Sequence, residues 1–228
     1  MIHQHELKAN DVHAYTLEML KEHLKIKVDG YICKTDMILN VLIKASAENS
    51  SLEAACGDLE ETADSNTIRE YLNEALPIKE LREQEKQVNK VLACGTPADL
   101  VRTDIEVALD FHDEPFYGKQ AGTRQVTCAG QAKKGTTHFV RIATAYIIWR
   151  QVRLTLAVRY VLPEDETLEI LKFLLQRLKK LGFKAKVLYM DKGFASTSII
   201  QYLTAQRQPA ILACPIRGKK GGTRALCR

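Results

Sequence analysis

VALDFHDEPFYG, residues 107–118, opens as an apolar strand and then turns acidic. Val107, Ala108 and Leu109 suit a core, yet Asp110 follows them, and after Phe111 come three titratable side chains, His112, Asp113 and Glu114. Two readings fit an apolar strand that ends on a carboxylate. In one, the strand simply emerges into solvent at an acidic turn. In the other, the carboxylate is held at the strand end to bind a metal ion. The choice between them depends on what else the chain places beside Asp110.

The downstream pattern supplies a partner. THFVRIATAYIIW and QVRLTLAVRYVL are long β-branched runs with only Trp149 to Gln151 to turn between them. EDETLEILKFLLQRLKKLG reads as a helix, acidic at its start, basic at its end and closed by Gly182, as the helix dipole favours. KAKVLYMDKG is a further strand that ends on Asp191; STSIIQYLTAQ is a helix and PAILACPI a last strand. The predicted order is β-β-β-α-β-α-β. If the strands of Asp110 and Asp191 are parallel neighbours, both carboxylates emerge at one edge. Hard Mg²⁺ or Mn²⁺ takes such oxygen ligands, and a pair of ions about 3.5–4 Å apart activates an attacking oxygen and stabilises a leaving one.

The first hundred residues read differently. Asp11 is a predicted cap for a helix carrying Ala14, Leu17, Leu20 and Leu24, and Thr35 for one carrying Ile38, Leu39, Leu42 and Ile43. A short helix from Ser51 to Leu59 is followed by one behind Asp64–Ser65, with Ile68, Leu72 and Leu76 inward and Asn66, Thr67, Arg69 and Asn73 outward. That pair fits a helix-turn-helix, and equally a plain helical bundle. IKELREQEKQVNKVLA is a connecting helix, and CGTPADL, with Gly95 and Pro97, sets the boundary near residue 100. The expected organisation is a helical region at 1–100 and an α/β domain at 101–228.

Charge follows the same division. Residues 1–100 hold 11 Lys and Arg against 18 Asp and Glu; residues 101–228 hold 22 against 10. A polyanion is therefore expected to engage the second part. Not one acid lies between Glu114 and Glu164. The glycine-bearing stretch YGKQAGTRQVTCAGQAKKGTTH reads as a mobile phosphate-clamping loop with Lys119, Arg124, Lys133 and Lys134, and IRGKKGGTR adds Arg217, Lys219 and Lys220. Arg150, Arg153 and Arg159 fit either a DNA contact or a solvated strand face. The six cysteines form no C-x-x-C pair, and most read as small buried hydrophobes. No apolar run approaches the roughly 18 residues of a membrane span, and MIHQHELKAN lacks a secretory pattern, so the expectation is a cytoplasmic, nucleoid-associated protein with no membrane partner.

Three strands, a helix and a strand ending in Asp resemble the RNase H-like core of insertion-sequence DDE transposases. ALDFHDEPFYG resembles the first-aspartate motif of the IS-four-like and halobacterial types, and VLYMDKGFAS their second-aspartate motif, Asp followed by a small residue and an aromatic. The resemblance implies an α/β fold with a helical N-terminal region and an incomplete RNase H-like mixed sheet. It also implies that Asp110 and Asp191 are catalytic residues and metal ligands, with Mg²⁺ or Mn²⁺ as cofactor. The implied partner is double-stranded DNA, both element ends and target, and a homo-oligomer is implied as well. The implied activity is DNA strand cleavage and transfer in transposition. The family's third carboxylate is a glutamate on a later helix, and beyond Asp191 this sequence has no Asp or Glu. The expectation is a C-terminally truncated transposase, inactive alone. Two alternatives stand beside it: an RNase H-like nuclease drawing Glu169 from the helix between the third and fourth strands, and a catalytically inactive DNA-binding protein. His112, Asp113 and Glu114 are read as spectators.

Overall fold

The structure, a computed structural model, describes residues 8–101, 103–118 and 125–216. Two compact units divide between Cys94 and Gly95. The first holds α1 (Ala9–His23), α2 (Thr35–Glu48), α3 (Leu52–Asp58), α4 (Ser65–Ala75) and α5 (Leu81–Cys94). Ile26, Ile38, Leu39, Val41, Ala55 and Ile68 form its core, with Leu17, Leu20 and Leu72 packed against it. Apolar residues at helical spacing put these side chains on one face of each helix.

Two predicted caps act otherwise. Asp11 sits in the first turn of α1, where its carboxylate accepts from the backbone N–H of Lys8, so the helix starts earlier than expected. Thr35 opens α2, but its hydroxyl accepts from the Val28 N–H and donates to the Val28 carbonyl, closing the bridge between Asp29 and Lys34. The caps of α3 and α4 are side-chain caps. Ser51 Oγ accepts from the Ala54 N–H, and Asp64 accepts from the N–H groups of Asn66 and Thr67. The outer face of α4 exposes Asn66, Arg69, Glu70, Asn73 and Glu74, and Arg69 donates to Ser65 Oγ and Asn66 Oδ1.

Among the described residues the second unit is a six-stranded mixed sheet: β1 (Asp104–Pro115), β2 (Cys128–Lys133), β3 (Thr136–Trp149), β4 (Val152–Val161), β5 (Lys184–Met190) and β6 (Ala210–Leu212). Helices α6 (Thr167–Lys180) and α7 (Thr197–Ala205) join the later strands. β1 is central, antiparallel to β3 on one side and parallel to β5 on the other; β4 lies outside β3 and β6 outside β5. Helices followed by a mixed sheet of this order are what the RNase H-like expectation required. Ile105, Val107 and Leu109 of β1 face Ile170, Leu171 and Leu174 of α6 and Ile199 and Leu203 of α7 in one buried cluster. Two-residue turns with positive φ at both positions link the antiparallel strands, Arg150–Gln151 after β3 and Lys134–Gly135 after β2.

Two features differ from the sequence reading. β1 does not end at Asp110 but runs five residues further, because β3 pairs with it as far as Pro115 opposite Phe139. Part of the expected loop is strand: Cys128–Lys133 forms β2 and pairs with the start of β3. The alternating apolar signal is weak in CAGQAK, and tertiary pairing overrides it.

Candidate functional site

The site grows from the end of β5. β1 and β5 are parallel; past a register shift after Ile105 the pairing runs unbroken from Glu106 opposite Val187 to Leu109 opposite Met190. Asp110 and Asp191 are each the next residue, so the backbone sets them at the same step of adjacent strands. There the chains part: β1 continues beside β3, while Asp191 caps a single 3₁₀ turn, Lys192–Phe194, by accepting from the Gly193 N–H at 2.9 Å. Asp110 is a strand end on the β5 side alone.

Side-chain direction separates the neighbouring residues of β1. Leu109 and Phe111 pack on the face of α6 and α7, so alternation turns Asp110, opposite Thr144, to the other face. His112 and Glu114 share that parity with Asp110, and His112 Nε2 is bonded to Glu114 Oε1. On the same face Arg153 lies over the Tyr146 ring at 3.8 Å and reaches Thr144 Oγ1.

Asp113 shares the parity of Phe111 and enters an open cleft of about 590 Å³ lined also by Arg141, Asp165, Asp191 and Lys192. Arg141, its cross-strand partner, grips it with two hydrogen bonds of 2.7 and 2.9 Å. The guanidinium is held above its ordinary pKa, first by the hydrogen bond to Asp113, with the charges of Asp113 and Asp191 acting in the same sense. Asp165 accepts from the Leu162 N–H and faces Arg159 at 3.8 Å.

Of the residues singled out from sequence, Asp191 lines the cleft and Asp110 adjoins it along the backbone without lining it. Glu169 is exposed and paired with Lys172 at 2.6 Å, and it is not among the cleft's lining residues. Lys133 and Lys134 are exposed at the tip of the β2–β3 hairpin, where the Lys134 carbonyl accepts from the Tyr117 hydroxyl. Lys119, Arg124, Arg217, Lys219 and Lys220 lie outside the described residues. Asp113, Arg141 and Asp165 were not foreseen as site residues. For Asp113 a signal existed, since two residues beyond a core phenylalanine on a strand is the same face. Among the described residues no three His, Cys, Asp or Glu side chains come close enough to hold an ion together, and no helix is long and apolar enough to cross a membrane.

No family model matches the sequence, and no curated protein does. Solved structures do show a loose likeness. One is the Drosophila P element transposase strand transfer complex, 10% identical, with a TM-score of 0.40 over 87% of this chain and 42% of that one. Another is the piggyBac transposase synaptic complex with hairpin DNA, 11% identical, with a TM-score of 0.45 over 98% of this chain and 45% of that one. Both are transposases. The chain spans less than half the length of either, and the overlap is too loose to lend it an activity or a partner.

Proposed function

We propose that this chain is a transposase-type DNA-processing protein, with a helical region at 1–100 that includes a helix-turn-helix and an RNase H-like domain at 101–228. The reading extends to the IS-four-like and halobacterial DDE type, on the two aspartate motifs quoted above. The observation that carries it is the shared step of Asp110 and Asp191 on neighbouring parallel strands. Carboxylate oxygens at adjoining strand ends suit Mg²⁺ or Mn²⁺, with water completing the shell. Bound there, such an ion supplies Lewis-acid stabilisation to a phosphodiester. Asp191 would hold it from the cleft, and Asp110, whose side chain leaves the other face of β1, would reach it around the strand edge left open beyond Met190. Arg141 would keep net negative charge on the cleft low enough for DNA phosphates to approach.

Lys133 at the end of β2 and Lys134 in the turn that follows it are proposed to contact duplex backbone together with Lys119, Arg124, Arg217, Lys219 and Lys220. The acidic outer surface of α4 argues that the first region contributes little phosphate affinity. Glu169, tied to Lys172 in solvent, gives the RNase H-type nuclease reading no support from geometry.

The test is duplex binding and plasmid cleavage by the whole chain over a salt series with Mg²⁺ or Mn²⁺. The expected result is salt-steep binding without strand cleavage, because two carboxylates do not fix a two-ion geometry. Replacing Lys133 and Lys134 by alanine lowers the salt slope by about 2. Robust cutting that disappears in Glu169→Gln would establish the nuclease reading instead. Binding carried entirely by residues 1–100 would remove the DNA assignment from the sheet.

A further inference from the structure

The two aspartates are set by backbone pairing only as far as Leu109 and Met190, and something else must hold Asp191 once β5 has ended. Phe111, one residue past Asp110, stacks on Phe194 with ring centroids 4.3 Å apart and planes inclined by 15°. Phe194 is fully buried and closes the turn that Asp191 caps. Gly193, between them, lies so close to Phe111 that an added Cβ would sit 2.9 Å from Phe111 Cδ2 and 3.0 Å from Asp191 Oδ1. The Phe111 ring also meets Arg141, whose guanidinium carbon is 5.9 Å from the ring centroid and whose position is fixed by the paired bonds to Asp113.

We propose that Phe111, Phe194 and the Arg141–Asp113 pair are positioning residues that clamp the Asp191 turn to the Asp110 strand. The inference rests on the metal reading above. The ring stack ties the turn to β1, offset-stacked aromatic pairs being worth more than their buried area alone. The bidentate ion pair ties β1 to β3 at the next residue on the same face and backs the Phe111 ring. Asp113 thereby acquires a role as the counter-charge that orders Arg141. The carboxylate of Asp191 then has one orientation, accepting from Gly193 with its second oxygen left for an ion.

The experiment compares the full chain with Phe111→Leu, which keeps apolar volume and removes the ring, Phe111→Tyr, which restores it, and Arg141→Lys, which keeps charge and loses the fork. Two quantities are read: Mn²⁺ affinity by electron paramagnetic resonance, and hydrogen exchange of the Gly193 amide, which reports its bond to Asp191. Phe111→Leu and Arg141→Lys are expected to weaken Mn²⁺ binding about tenfold, as loss of a supporting shell does elsewhere. They are also expected to speed exchange of the Gly193 amide, while Phe111→Tyr restores both. Unchanged Mn²⁺ affinity in Phe111→Leu, against measurable binding in the wild type, overturns the clamp and leaves the metal reading intact. Absence of Mn²⁺ binding in the wild type overturns the metal reading and the clamp's purpose with it, even where Gly193 exchange speeds up as expected.

Discussion

Gly193 has space for a hydrogen and nothing larger. Its backbone is ordinary, so the constraint is steric: a methyl group meets the edge of Phe111 and the carboxylate of Asp191 at once. Either the ring leaves Phe194 or the carboxylate turns. Gly193→Ala is expected to lower stability by about 1–3 kcal/mol, the usual cost of overpacking. Thermal unfolding measures that loss, and a variant as stable as the parent would show that the turn relaxes freely. Asp110 and Asp191 were both legible as residues because each interrupts an apolar run. Asp165 was not, because nothing local marks it: it becomes a cleft residue only when the turn after β4 folds back and its carboxylate accepts from Leu162.

Among the elements, α4 shows how one side chain sets a boundary. Asp64 is held below the usual carboxylate pKa, first by the Thr67 hydroxyl and then by the N–H groups of Thr67 and Asn66. A depressed folded-state pKa means that the cap contributes above the unfolded-state value and is lost as pH falls through the folded one. Asp64→Ala is therefore expected to destabilise the first unit at neutral pH, with the deficit closing as both proteins are acidified past the ordinary carboxylate range. A denaturation series against pH checks this, and a deficit constant in acid would contradict it. Most elements were legible from periodicity, since β3, β4, α6 and α7 alternate or repeat at their own spacing. The apolar pattern marks only the first half of β1, because the acidic second half carries none, although β3 offers it hydrogen-bond partners to Pro115. β2 carries no strand signal because Gly130, Gln131 and Ala132 are poor strand formers, and only the Lys134–Gly135 turn hints at a hairpin.

At the scale of the molecule, an acidic helical unit precedes a basic sheet unit, and each has its own buried core. Strand order decides which carboxylates meet: with β1 central and β5 beside it in parallel, Asp110 and Asp191 arrive at one step although 80 residues separate them in sequence. That juxtaposition was expected from topology, whereas the opposite facing of Asp110 and Asp113 follows from a strand longer than its apolar half. The central claim is that the adjoining strand ends hold a divalent ion. Mn²⁺ broadens nearby amide resonances, so titrating it into labelled protein locates the ion directly. The account predicts broadening centred on residues 109–112 and 190–193, lost in both Asp110→Asn and Asp191→Asn. Broadening centred elsewhere, or persisting unchanged in the two variants, would contradict it.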